Sequence, residues 1–180
     1  MLNLVDMGVF VFINKIQNPL LTNIMVFFTT LGDKGVLWIM LVIILLLMKK
    51  TRKYACIILI SVIITLILNN ILKSLFDRVR PYEYFHFIPM IKTSGSASFP
   101  SAHTSIAFAV FGIYNFFKLR YRYLVGVVAL LTGISRFYLE VHYFTDVIAG
   151  GMLGMLVSYA VIYLYYRSYK IREFILGCFR

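Results

Sequence analysis

Four stretches of this chain, Tyr54–Phe76, Pro100–Lys118, Tyr121–Leu139 and Tyr143–Tyr166, run apolar for close to or beyond the roughly 20 residues an α-helix needs to cross about 30 Å of hydrocarbon. That feature removes most soluble folds from consideration. A backbone in lipid must satisfy its own N–H and C=O groups, and it does so as a helix or a closed barrel. Hydrophobic residues make up 61% of the 180 and the mean hydropathy is +0.87, more apolar surface than a water-facing domain of this length can hide. Two shorter stretches, Pro19–Leu31 and Gly35–Met48, are separated by Gly32-Asp33. They are expected to form a helical hairpin, with Asn18 capping the first helix and Pro19 in its first turn. The first 17 residues mix apolar positions with Asn3, Asp6, Asn14, Lys15 and Gln17, the pattern of a helix lying at the interface. The expected architecture is all-α: one domain over residues 1–180, a polytopic membrane bundle of six transmembrane helices plus an N-terminal interfacial helix.

In a soluble protein the formal charge of +11 would suggest a nucleic-acid partner. Here the basic residues sit at segment boundaries, and no nucleic-acid partner is expected. Lys49–Lys53, Lys118–Arg122 and Arg167–Arg180 bracket one set of helix ends. The other set carries Lys34, Lys73, Arg78, Arg80, Lys92 and Arg136, mixed with Asp33, Asp77, Glu83, Glu140 and Asp146. The positive-inside rule makes the first set cytoplasmic, C-terminus included, and the second extracytoplasmic. The N-terminus has neither a basic n-region nor a small-residue cleavage site, so no removable signal peptide is expected. Cys56 and Cys178 form no motif, and no structural disulfide is expected. The one long connection, Pro81–Phe99, is aromatic in its first half (Tyr82, Tyr84, Phe85, Phe87) and small and polar in its second, Thr93–Ser98. It reads as an interfacial lid with a flexible second half.

Charged groups are costly in a bilayer, so a set of them at helix ends is a functional-site hypothesis. Lys73 and Arg80 are seven apart, two turns on one helix face, and Pro81 is expected to end that helix. Arg80 offers a planar fork and Lys73 a point charge, both suited to phosphate oxygens. Interfacial snorkelling is the other reading of such a pair, and it is what Asp77 and Arg78 are expected to do. Pro100 and Ser101 look like a helix start with Ser101 as cap, whose unpaired N–H groups would welcome an anion beside His103. A structural cap with an incidental histidine fits equally. His142 and Asp146 are four apart and share a helix face, where the carboxylate can fix the imidazole tautomer and leave the other nitrogen nucleophilic. A plain polar pair or half of a metal site are the alternatives. The chain has only three histidines, His86 lies in the loop, and no further carboxylates or thiolates cluster nearby. Arg136 joins the set from the preceding helix.

Three blocks, Lys73-x6-Arg80-Pro81, Pro100-Ser101-Ala102-His103 and Ser135-Arg136-x5-His142-x3-Asp146, resemble in order and spacing the type 2 phosphatidic acid phosphatase superfamily. That superfamily includes lipid phosphate phosphatases, undecaprenyl pyrophosphate phosphatases and, more distantly, vanadium haloperoxidases. Ala102 departs from the glycine the family often has there; with helical dihedrals it would cost little. The resemblance implies an acid phosphatase/vanadium haloperoxidase-like core and a two-step hydrolysis needing no metal and no cofactor. In it His142 attacks phosphorus, Asp146 stabilises the imidazolium, and His103 protonates the leaving oxygen and then deprotonates water. Lys73, Arg80, Ser101, Arg136 and the backbone N–H groups at Ala102 and His103 would hold the phosphate. The expected partner is a membrane lipid at the extracytoplasmic face of a plasma (inner) membrane. Undecaprenyl pyrophosphate is the expected substrate, with phosphatidylglycerol phosphate, phosphatidate and lipid A phosphate as alternatives. From other classes, a transporter or a non-catalytic binder of phosphorylated lipids is also compatible with the charges.

Overall fold

The computed structural model describes residues 3–32, 35–93, 95–169, 172–173 and 175. Of the expectations above, those on Asp33, Lys34, Ser94, Lys170, Cys178 and Arg180 fall outside the described residues. The regular elements among them are eight helices without a strand: α1 Leu4–Ile16, α2 Pro19–Gly32, α3 Val36–Leu47, α4 Arg52–Phe76, α5 Pro81–Tyr84, α6 Ala102–Phe116, α7 Arg122–Tyr138 and α8 Phe144–Arg167.

The polarity of α4 identifies its solvent. Ser61, Thr65, Asn69 and Lys73, four residues apart, are buried along one face, while Ile63, Ile67, Ile71 and Leu75 are more than half exposed on the other. In water that arrangement would be inside out; in lipid the exposed isoleucines cost nothing and the polar groups need partners. They find them. Thr65 donates to the Ser61 carbonyl at 2.7 Å, and the Asn69 amide donates to Ser105 Oγ of α6 at 2.9 Å.

The helices α6 and α8 pack through small residues. A Cβ built on Gly154 would lie 2.1 Å from the Ser105 carbonyl oxygen, and one on Gly150 would lie 2.6 Å from that of Ser101. The Gly150-x3-Gly154-x3-Ser158 stripe on α8 thus meets Ser101, Ser105 and Ala109 on α6 at backbone contact. This brings the starts of the two helices together, and the Ser101 N–H donates to the Asp146 carbonyl at 3.1 Å.

The α2–α3 expectation is corrected. The two helices meet at a bend of 50°, so the chain changes direction at the break without folding back. Each half has its own partner, α2 against α7 and α3 against α4. Asn18 does cap α2, its Oδ1 accepting from the Leu21 N–H at 2.9 Å. The helices α4 and α8 are each long and apolar enough to cross a membrane, and the bent pair is a third span if it crosses as one. The helices α6 and α7, at 15 and 17 residues, are shorter. Among the described residues, helix length and composition therefore support two to three spans where six were expected.

The N-terminal helix forms, with apolar residues outward and polar residues turned onto the protein. Leu4, Val5, Val11 and Phe12 point outward, whereas Asp6 is 2% exposed. The Asn14 amide donates to Glu140 at 2.7 Å and Gln17 to the Tyr138 carbonyl at 3.0 Å. Its polar residues dock on the loops that carry the site. Burial pushes the Glu140 carboxyl above its usual range, against the opposing Asn14 bond.

Candidate active site

The ends of α4, α6 and α7, the link from α7 to α8 and the loop after α5 enclose a cavity of about 320 Å³. Lys73, Arg80, Ala102, His103, Arg136 and His142 all line it, joined by Thr29 and Thr30 from α2 and by Ile91, Lys92, Thr93 and Ser96 from the loop. The two remaining sequence candidates, Ser101 and Asp146, sit behind it, both fully buried.

Local chain geometry explains the placement, with three departures from expectation. The first concerns Arg80. The helix α4 stops at Phe76 with Asp77 left-handed (φ 38°), and Arg80 is extended (φ −75°, ψ 156°) with Pro81 opening α5. Lys73 and Arg80 therefore converge on the cavity from a helix and an extended link, not from one helix face. The second concerns Ser101. It occupies the N-cap position of α6, but its side chain makes no cap bond and accepts from the Thr104 hydroxyl at 3.0 Å. Ala102 is the first residue of α6 and is helical, so the missing glycine carries no strain.

The third concerns His142, 3% exposed, whose backbone N–H donates to the Arg136 carbonyl at 3.2 Å. Its Nδ1 is 3.6 Å from Asp146 Oδ2, too far for the direct bond expected from the i, i+4 spacing. Asp146 instead serves as the N3 residue of a capping box, Oδ2 accepting from the Tyr143 N–H at 2.9 Å. Ser98 Oγ fills the gap, donating to Asp146 Oδ2 at 2.5 Å and lying 3.4 Å from His142 Nδ1. Burial pulls the His142 pKa down to about 3; Asp146 opposes this, and the Arg136 and Arg80 charges add to it. The imidazole is neutral at ordinary pH, with its Nε2 not engaged by Asp146 or Ser98.

The loop is also better ordered than its composition suggested. Phe85 stacks on Phe10 of α1 with centroids 4.5 Å apart, and Tyr82 pairs with Thr93 at 2.9 Å. Arg80 donates to the Ser96 carbonyl at 2.7 Å and the Val141 carbonyl at 3.1 Å, while Lys73 donates to the Ala97 carbonyl. These partners are neutral oxygens, so Lys73 and Arg80 keep their positive charge for an anion in the cavity. Among the described residues no group of three or more His, Cys, Asp or Glu side chains gathers where it could hold a metal ion.

Three residues around the site escaped the sequence reading. Ser98 was assigned to a flexible tract, yet it is fully buried against Asp146. Arg78 was expected to snorkel. Instead it donates to Asp146 Oδ1 at 2.5 Å and to Asp6 Oδ2 at 2.6 Å, with its guanidinium 4.0 Å from the Tyr143 ring centre. Asp6 also accepts from the Thr145 N–H at 2.9 Å and hydroxyl at 2.8 Å. One signal was available: Asp6 is the single acidic residue in the first 32.

Comparison with known proteins places this geometry. Residues 54–170 match the sequence model of the PAP2 superfamily. Phosphatidylglycerophosphatase B of Bacillus subtilis (strain 168) is 35% identical over 159 residues, covering 81% of this chain and 76% of its own length. An undecaprenyl-diphosphatase of Sulfolobus acidocaldarius is 29% identical over 156 residues, covering 86% and 75%. Among solved structures, that of a transmembrane PAP2-type phosphatidylglycerolphosphate phosphatase from Bacillus subtilis superposes with a TM-score of 0.74 at 32% identity, over 90% of this chain and 85% of that one.

Proposed function

The chain belongs to the PAP2 superfamily and is a membrane lipid phosphatase; from that premise we propose that it hydrolyses a lipid phosphate through a phosphohistidine on His142, with His103 as proton carrier. The observation that carries this reading is the shared cavity: both imidazoles line it together with Lys73, Arg80 and Arg136. In the first step His142 Nε2 forms a bond to phosphorus as the bond from phosphorus to the leaving oxygen breaks, and His103 gives that oxygen its proton. Water then attacks phosphorus, returns a proton to His103, and the N–P bond breaks to release phosphate. The cations neutralise the charge spread over the equatorial oxygens, which supplies most of the catalysis in phosphoryl transfer.

A lipid substrate is supported by a second cavity that shares a wall with the first. Ala102 and His103 also line an apolar cleft of about 400 Å³ bounded by Trp38, Ile39 and Val42 of α3 and Leu59, Val62 and Leu66 of α4. A phosphate held among the cations would leave its apolar chain free to descend this cleft towards lipid. Four cations, Lys73, Arg80, Lys92 and Arg136, line the polar side, more than a phosphate monoester's two charges require. That surplus favours a polyprenyl diphosphate such as undecaprenyl diphosphate. The second reading, phosphatidylglycerol phosphate, is favoured by the 35% identity to the Bacillus phosphatidylglycerophosphatase. Phosphate release from purified protein, against both lipids and a water-soluble alkyl phosphate with chelator present, tests the proposal. The diphosphate should give the highest kcat/KM, with the soluble phosphate at least about tenfold lower from the lost burial of its chain. Equal turnover of the soluble compound would remove the lipid reading, and loss of all activity with chelator would remove the metal-free mechanism.

We further propose that α6 and α7 also cross the bilayer and that the site opens extracytoplasmically, because Lys49, Lys50, Arg120 and Arg122 lie at the helix ends opposite it. A cysteine placed at Gly95 should react with an impermeant maleimide added outside intact cells. Labelling only after the cytoplasm is opened would reverse the orientation.

A further inference from the structure

Arg78 falls at an unspecified position of the first motif block, and Asp6 lies 67 residues before that block begins. Yet the two complete a bridge that ends on the carboxylate behind His142. One guanidinium spans two buried carboxylates, Nη2 to Asp6 Oδ2 at 2.6 Å and Nη1 to Asp146 Oδ1 at 2.5 Å, and its Cζ lies 4.0 Å from the Tyr143 ring centre. Both carboxylates are buried to within 2% of completely. Buried charges of this kind persist only when paired, and breaking a pair leaves an uncompensated charge.

Counting charges suggests what the bridge does. Arg78 with Asp146 alone is neutral, and a neutral pair offers little to a cation forming on His142. With Asp6 present, two carboxylates share one guanidinium and the cluster carries a single net negative charge. When His142 is phosphorylated its ring becomes an imidazolium, and that positive charge completes the balance through Asp146 and Ser98. We propose that Asp6 is a positioning residue which, through Arg78, sets how much negative charge Asp146 presents to His142. The N-terminal helix is thereby part of the catalytic apparatus as well as part of the packing. This inference rests on the phosphohistidine reading above.

The test is a double-mutant cycle on purified protein, with kcat and KM measured separately for the lipid phosphate that wild type turns over fastest. Asp6→Asn should lower kcat about tenfold with KM changed less than about twofold, since the lost interaction is one made as charge develops. In an Asp146→Asn background the same change should cost less than about twofold, because the carboxylate through which Asp6 acts is gone. Asp6→Glu should restore part of kcat. Asn14→Ala removes another anchor of the same helix, its bond to Glu140, and should leave kcat unchanged. If Asp6→Asn does not fold, Arg78→Lys serves instead: it keeps the charge, loses the two-pronged fork, and should show the same dependence on Asp146. Equal losses in both backgrounds, or a loss reproduced by Asn14→Ala, would reduce Asp6 to a docking contact and overturn the proposal. A wild-type enzyme with no activity on any lipid phosphate would instead indict the functional reading.

Discussion

His142→Ala should lower turnover by about four to six orders of magnitude, the scale seen when the nucleophile of a concerted catalytic set is removed. The same variant should yield no base-stable, acid-labile phosphoprotein when labelled substrate is quenched in alkaline denaturant, whereas wild type should yield some. The side chain is buried and its Nδ1 side is occupied by Ser98 and Asp146, which leaves Nε2 as the nitrogen available to attack. Folding can be checked independently through proton linkage. The imidazole titrates near 6.5 when unfolded and is held to about 3 when folded, so the unfolded chain binds the extra proton between those values. Wild-type stability should therefore decline as pH falls from about 6.5 towards 3, and His142→Ala should decline less over that window. A variant that keeps measurable turnover, or a phosphoprotein that persists in it, would end the assignment of His142 as nucleophile.

What the sequence revealed and what it hid divide along a physical line. Helix positions were legible because apolar runs of this length have few other solutions, and α4, α6, α7 and α8 begin and end within a few residues of expectation. Lys73, His103, Arg136 and His142 could be assembled without coordinates because they stand at ends of helices that alternate in direction. The α6–α8 contact was legible in principle, since Gly150-x3-Gly154-x3-Ser158 is a small-residue stripe whose partner stripe on α6 has the same spacing.

The parts that went unread depend on distant pairing or on local backbone. Arg78 looks like one more basic residue at a membrane boundary until Asp6, 72 positions away, is found against it. The i, i+4 spacing of His142 and Asp146 suggested a direct bond. That rule presumes both residues lie in one helix, whereas α8 begins at Phe144 and leaves His142 outside it. The tract Thr93–Ser98 has a linker's composition, but its carbonyls and hydroxyls are what Lys73, Arg80 and Asp146 need. Polar small residues can serve as buried partners as readily as they serve as solvent-exposed linker.

His103→Ala should produce a smaller loss than His142→Ala and one that depends on the leaving group. General acid help contributes about 10² to 10⁴ in rate, and it matters most when the departing oxygen is a poor leaving group. With an alkyl or polyprenyl substrate the variant should fall by that factor. An aryl phosphate lipid departs without a proton, so formation of the phosphoenzyme should be nearly restored. The second step is not rescued, because water still lacks the base that would take its proton. The variant should therefore give a burst of released aryl alcohol, about one equivalent per enzyme, followed by a slow steady rate, and phosphoprotein should accumulate. The placement of His103 at the meeting of the polar cavity and the apolar cleft is what motivates this expectation, since the scissile oxygen joins the phosphate to the chain. If aryl and alkyl substrates lose the same factor and no burst is seen, His103 acts on binding or structure and the proton carrier must be sought elsewhere.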